Sequence, residues 1–317
     1  MIELTAAAES AFYFIGVTTA QSSIMKVFPK WAKVLEINAV IKGIDLPPHA
    51  PPEDYRKVAE FIKSDPLSLG ALVTTHKLDL YNACGDIFDY ADPFAEKLAE
   101  VSSISKSEGK FCAHAKDPIS SGMALEDFVP RGFWADHGGE VLLLGAGGSS
   151  LAMSLYFSRE DAGDDRPRRI TIANRSEGRL VSARAALAGC EKKTEFRFLH
   201  CPSPADNDRL IADLDQYSLV VNATGLGKDA PGSPTSGGVL YPEHSLVWEI
   251  NYRGDLIFMK QALEQKEKRK LHVENGWNYF IYGWTQVIQE VFHITISPEQ
   301  LAELSRIAGI DTPKQAS

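Results

Sequence analysis

Val141–Ala152 reads VLLLGAGGSSLA. Four apolar residues, Val141 to Leu144, run straight into Gly145-Ala146-Gly147-Gly148, and Leu151, Ala152, Leu155 and Tyr156 then fall at helical spacing. Apolar run, glycine turn and one-sided apolar stretch predict strand, tight turn and helix. That is the layout of a dinucleotide-binding unit. Gly145 permits the turn, and Gly147 lets the backbone approach a pyrophosphate. The N–H groups and dipole at the helix start, around Gly148 and Ser149, favour the anion. Ser150 stands where the usual fingerprint has its third glycine, so the match rests on the first two. By itself this motif also describes a plain strand-to-helix turn.

Composition bounds the reading. At 317 residues the chain exceeds the usual single domain, so two domains are expected. A net charge of −9 argues against nonspecific binding to nucleic acid or to an anionic membrane. Cys84, Cys112, Cys190 and Cys201 make no CxxC pair, zinc spacing or disulfide framework, as expected of isolated thiols in a reducing compartment. The first residues lack a basic region followed by a long apolar run. No stretch approaches about 18 consecutive apolar residues. These features predict a cytoplasmic protein, monomer or homodimer, whose partner is a small molecule rather than nucleic acid or membrane.

Upstream of the glycine turn, Ala11–Val17 (AFYFIGV) reads as a buried strand. Ile24, Val27, Phe28, Trp31, Val34 and Leu35 follow at helical spacing. Ser22 or Ser23 is the natural N-cap, and Pro29 should kink the helix or mark its start. Further strands are expected at Ala39–Ile44, Leu69–Thr74 and Lys110–His114, and helices at Glu53–Ser64 and Asp89–Glu100. This alternation predicts an α/β layer domain. Pro130–Gly139 reads as a loop. Downstream, strands are expected at Arg169–Ala173, Thr194–Leu199, Leu219–Ala223, Leu246–Ile250 and Leu271–Glu274. A helix carrying Arg179 follows Asn174-Arg175-Ser176, and others are expected at Ile257–Lys268, Gly276–Val291 and Pro298–Ile307.

The order of these pieces resembles the shikimate dehydrogenase family over most of the chain. The resemblance implies an N-terminal α/β substrate domain at 1–127, completed by 276–317. It also implies a Rossmann-like parallel-sheet nucleotide domain at 128–275, with C-terminal helices returning to the first domain. The family's GAGG turn is matched by Gly145–Gly148, its Asn-Arg-Thr ribose motif by Asn174-Arg175-Ser176, and its Asn-Ala-Thr segment by Asn222-Ala223-Thr224, followed by Gly225. The family's tyrosine after the next strand is matched by Tyr252. Its catalytic lysine looks like Lys77 in Val73-Thr74-Thr75-His76-Lys77, and its catalytic aspartate falls on Asp117.

Cofactor choice has a separate argument. A strand ending in Asp or Glu takes the ribose 2′-OH of NAD, whereas this strand ends in Asn174-Arg175. An arginine there accommodates a 2′-phosphate through charge-assisted bonds. Arg179, one turn into the helix, assists, so the expected cofactor is NADP rather than NAD. A Lys77/Asp117 pair suits hydride transfer. The alcohol must lose its hydroxyl proton to a base, and an oriented lysine of tuned pKa serves as acid or base. Without the family likeness, Lys77 reads as a loop lysine and Asp117 as a turn residue before Pro118.

Departures from the family cluster on the substrate side. Ser22 matches the first hydroxyl of the family's Ser-x-Ser, but Ile24 replaces the second, leaving Ser23 to substitute. The lysine motif is one residue short and lacks its proline. Glu100-Val101-Ser102-Ser103 replaces Ala-Val-Asn-Thr, which makes Ser102 the nearest polar substitute. Gly283 stands at the substrate-contacting glutamine, with Gln286 almost one turn further on. A pocket that has lost hydroxyl-bonding groups discriminates against a polyhydroxylated acid, so shikimate itself is expected to be a poor substrate. Trp277, Tyr279, Tyr282 and Trp284 line a pocket for a flatter or less polar molecule, or belong to the core or a subunit interface. The expectation is an NADP-dependent oxidoreductase on a small cyclic hydroxy acid. The alternatives are a non-catalytic NADP-binding sensor or another enzyme class on the same frame.

Overall fold

A computed structural model of the protein describes residues 4–190, 194–228 and 230–311. The chain divides into two units, residues 1–116 with 283–317 and residues 117–282. The second division falls inside a helix.

The first unit begins with β1 (Ala11–Gly16), α1 (Ile24–Val34), β2 (Val40–Asp45), α2 (Pro52–Ser64), β3 (Ser68–Val73) and α3 (Lys77–Cys84). It continues with β4 (Tyr90–Ala91), α4 (Pro93–Leu98), β5 (Ser103–Ser107) and β6 (Lys110–His114). The strands form one sheet in the order β2-β1-β3-β5-β6-β4. The β2-β1-β3 pairs are parallel and the β3-β5-β6 pairs antiparallel. The residues of β1 are all buried, and Tyr13 and Ile15 join Tyr55, Val58 and Ile62 of α2 in one core. Burying each such side chain stabilises by roughly 1.5–3 kcal/mol.

Local chemistry explains where the elements differ from expectation. The helix expected over Asp89–Glu100 is a two-residue strand followed by the shorter α4. Asp92 accepts the Ala95 N–H at 2.7 Å as N-cap, Pro93 sits at the first turn, and Ala99 stops the helix in the left-handed region. Pro29 lies on an exposed position inside α1, which runs through it. Ser23 is the N-cap residue of α1, yet its side chain makes no capping bond.

The second unit holds α5 (Asp117–Glu126), α6 (Phe133–His137), β7 (Val141–Leu144), α7 (Gly148–Phe157), β8 (Arg169–Asn174) and α8 (Glu177–Ala186). Next come β9 (Glu195–His200), α9 (Pro204–Ala212), β10 (Leu219–Asn222) and β11 (Leu246–Glu249). They are followed by α10 (Ile257–Leu263), α11 (Lys266–Arg269), β12 (His272–Glu274) and the start of α12 (Trp277–Phe292); the rest of α12 and α13 (Pro298–Asp311), which ends the described chain, belong to the first unit. The expected loop Pro130–Gly139 contains α6, whose first N–H groups are bound by the Asp165 carboxylate. All six strands are parallel, in the order β12-β11-β10-β7-β8-β9. This is the doubly wound Rossmann order, with the reversal between β7 and β10. The central strands β7, β10 and β11 are buried on both faces, so they read as apolar runs, broken only by Asn222 and Glu249 at the ends of β10 and β11. Among the described residues no helix is long and apolar enough to cross a membrane.

Candidate functional site

In the second unit the strand β7 delivers Gly145 to the carboxyl edge of the sheet, at the reversal of strand order. Gly145 has φ +112°, and a Cβ there would meet the Ala223 carbonyl oxygen at 2.7 Å. Both features demand glycine. Ser150, in the third-glycine position, is fully buried and donates its hydroxyl to the Gly145 carbonyl at 2.6 Å. The side chain therefore ties the turn closed from inside the helix.

A cavity of about 400 Å³ opens in front of this turn. It is lined by Gly145, Ala146 and Gly147, by Asn174, Arg175 and Arg179 beyond β8, and by Ala223, Thr224 and Gly225 beyond β10. A Cβ on Gly147 would meet nothing within 4 Å, so the start of α7 faces open space. A helix N-terminus and two exposed arginines around one crevice fit a phosphorylated dinucleotide. Four residues expected at the cofactor do not line the cavity: Gly148, Ser149, Ser176 and Asn222. Gly148 and Ser149 form the first turn of α7. Ser176 is the N-cap residue of α8, and its carbonyl accepts from Asn174 at 3.1 Å.

Asn222 is fully buried and turned inward, towards Glu249, a residue that sequence reasoning missed. Glu249 is also fully buried. Its Oε2 accepts from Asn222 Nδ2 at 2.7 Å, and its Oε1 accepts from Asn251 N at 3.0 Å and Asn251 Nδ2 at 2.6 Å. Burial pushes its carboxyl up to about 7, against the opposing pull of the Asn222 and Asn251 hydrogen bonds. Its signal in the sequence was an acid ending the apolar strand LVWE.

Asp117 opens α5 and is buried. The Tyr279 hydroxyl lies 3.5 Å from Asp117 Oδ2 and 3.4 Å from Ser149 Oγ. Tyr252 is half-buried, with its ring centroid 4.5 Å from Phe280 and 5.8 Å from Trp277. The other aromatics of α12 have structural partners. Tyr282 donates to Asp127 at 2.9 Å, and Trp284, in the first unit, packs edge-on to Phe12 and Phe14 in the core.

In the first unit, sheet topology collects the remaining residues at one end. Ser22 and Ser23 follow the carboxyl end of β1, and Thr74 and Lys77 follow that of β3. Ser102 precedes the antiparallel β5, and its carbonyl accepts the Val73 N–H at 2.9 Å. Lys77 is half-buried as the first residue of α3. The shortened motif is fixed without its proline. Thr75 takes φ +60°, and the buried His76 bonds Tyr55 Oη through Nδ1 at 3.0 Å. Burial lowers the His76 pKa and, with the Asp79 charge, pushes Tyr55 up to about 12.

Several expected substrate groups are turned to other uses. Ser102 is buried and accepts the Lys116 N–H at 2.7 Å. Ser23 Oγ is buried and meets no hydrogen-bond partner among the described residues. Ile24, in place of the family's second serine, is fully buried. Ser22 and Gln286 are half-exposed.

No protein-family model matches the chain. It is similar to the shikimate dehydrogenase (NADP(+)) of Lactococcus lactis subsp. cremoris strain MG1363, 27% identical over 227 residues, 68% of this chain and 74% of that one. Among solved structures it shares the fold of a quinate dehydrogenase from Corynebacterium glutamicum in complex with NAD, with a TM-score of 0.74 at 17% identity, covering 94% of this chain and 98% of that one. It likewise shares the fold of a shikimate 5-dehydrogenase from Thermus thermophilus in complex with NADP(H) and shikimate, with a TM-score of 0.68 at 19% identity, covering 94% and 99%.

Proposed function

We propose that the protein is an NADP-dependent oxidoreductase of the shikimate dehydrogenase type, acting on the CH–OH group of a small cyclic hydroxy acid. The observation that carries this reading is the crevice at the strand-order reversal of the second sheet, where Gly145–Gly147, Arg175, Arg179 and Thr224 line one cavity. The glycine turn and the α7 N-terminus hold the pyrophosphate. Arg175, helped by Arg179, takes the 2′-phosphate and selects NADP over NAD. Held there, NADP would supply the hydride acceptor for oxidation, and NADPH the donor for the reverse reaction.

The protein's own chemistry is proton handling and positioning. Residues 1–127 with 276–317 supply the substrate side, and residues 128–275 the nucleotide side. Lys77 takes the hydroxyl proton during oxidation and returns one during reduction, while Asp117 orients the ammonium group. Ser22, Thr74, Tyr252 and Gln286 bind the acid. Two observations support a substrate other than shikimate: the Ser102 hydroxyl is committed to the Lys116 backbone, and the buried Ile24 replaces a hydroxyl. A site without those polar partners loses its preference for a polyhydroxylated ring.

The test is turnover, followed by NADPH absorbance, with NADP and a panel of cyclic hydroxy acids including shikimate and quinate. Hydride transfer to at least one member is expected, with shikimate poor. Lys77→Ala is expected to lower kcat by about a thousandfold while NADP affinity stays within about twofold. NADP binding without hydride transfer across the panel would contradict it and favour a non-catalytic nucleotide sensor.

A further inference from the structure

We propose that Glu249 is a positioning residue for the nicotinamide half of the nucleotide site, acting through Asn222 and Asn251 on the loop Thr224–Leu226. The proposal rests on the NADP reading above. In a doubly wound sheet each half binds one mononucleotide. The β7-β8-β9 half carries Gly145 to Gly147, Arg175 and Arg179. The loop after β10 belongs to the opposite half, and Thr224, Gly225 and Leu226 line the cavity from that side.

On its far side the loop is tied by its own backbone, through the Leu226–Ala230 bridge and the Ala230 N–H donated to the Gly225 carbonyl at 3.1 Å. On the side of the sheet two asparagine amides brace it. Asn222 Oδ1 accepts from Thr224 N at 3.0 Å and Thr224 Oγ1 at 2.6 Å, and Thr224 Oγ1 in turn accepts from Leu226 N at 3.2 Å. Asn251 Nδ2 donates to the Thr224 carbonyl at 3.2 Å and the Leu226 carbonyl at 3.4 Å. Each amide has its orientation set by Glu249, whose two oxygens accept from both. An ionised carboxylate offers only acceptors. It fixes both amides, and the amides fix the loop.

Glu249→Gln has nearly the same shape but one nitrogen. In either orientation its amide points an N–H at a donor of Asn222 or Asn251. Turning Asn222 over to relieve the clash removes the oxygen that holds Thr224. The fault therefore reaches the loop while the β7-β8-β9 half stays intact.

The experiment titrates wild type, Glu249→Gln, Glu249→Asp and Asn251→Ala at about pH 8, above the Glu249 pKa, with two probes. NADPH spans both halves, and adenosine 2′,5′-bisphosphate occupies only the arginine half. The expected result is a Kd for NADPH raised at least about tenfold in Glu249→Gln and Asn251→Ala, with the bisphosphate Kd within about twofold of wild type. Glu249→Asp, which keeps two acceptors, recovers part of the NADPH affinity. If Glu249→Gln does not fold, Asn251→Ala carries the same test, because it removes the link to both loop carbonyls. Unchanged NADPH affinity, or equal loss for both probes, overturns the proposal and leaves the NADP reading standing. Wild type binding neither probe overturns both.

Discussion

Ser150 illustrates how one side chain can make good a broken motif. A third glycine normally permits close helix–strand packing in this turn. Here a hydroxyl occupies the space and bonds the Gly145 carbonyl at 2.6 Å. Ser150→Ala leaves that carbonyl without this donor. Urea denaturation is expected to show a loss of about 1–2 kcal/mol. Glu249 gives a second residue-scale prediction. Its folded-state pKa of about 7 lies above the usual carboxyl value. A raised acid pKa means that the folded state binds the proton more tightly than the unfolded chain. The resulting stabilisation is full below about pH 4.5 and lost as pH rises through about 7. Relative to Glu249→Gln, wild type is therefore expected to lose up to about 3 kcal/mol between about pH 4.5 and pH 8, measured by chemical denaturation at each pH. Residues of this kind were not legible in the sequence. Their roles depend on which buried partner each side chain meets, and Glu249 finds Asn222 across 27 positions.

At the scale of elements, α12 shows both what could be read and what could not. Its helical pattern was plain, and the helix runs over Trp277–Phe292. The destination of its aromatics was not, because helical spacing alone cannot separate a core stripe from a pocket wall. Trp284 went to the core, whereas Trp277 packs with Tyr252 and Phe280. Towards its end, Glu290 binds the Lys116 ammonium and lies 3.2 Å from His114 Nε2. Glu290→Ala strands a largely buried lysine and is expected to cost about 2 kcal/mol in thermal or urea denaturation. That is below the figure for a fully buried pair, because Glu290 keeps some exposure. The missed elements share a cause. α3 begins on Lys77 shortly after Thr75 at φ +60°, and β5 carries Ser103 and Ser105 buried where polar residues argue for exposure. α9 is announced only by the Ser203–Asp206 capping box and Pro204. In each case local backbone geometry or a hydrogen bond outweighs the apolar periodicity on which the sequence reading relies.

At the scale of the molecule, the alternation of strands and helices was enough to anticipate α/β architecture and a parallel, doubly wound second sheet. The reason is physical: parallel strands buried on both faces are written mostly as apolar runs, and Val141–Leu144 and Leu219–Val221 are such runs. The mixed order of the first sheet was hidden, because β5 and β6 pair antiparallel through a short hairpin that polar residues disguise. The crevice of the second sheet was the most legible part of the candidate site, since its residues follow strand ends in sequence order. The substrate side was the least legible, since its altered residues no longer spell the pattern of their relatives. On the proposed reading the crevice of the second sheet is built for NADP. The most direct test is calorimetric titration of wild type and Arg175→Ala with NADP and with NAD. The charge-assisted contacts to the 2′-phosphate predict NADP binding about 10–100-fold tighter than NAD in wild type, with the preference largely lost in Arg175→Ala. Equal affinity of wild type for the two nucleotides, or no binding of either, would contradict it.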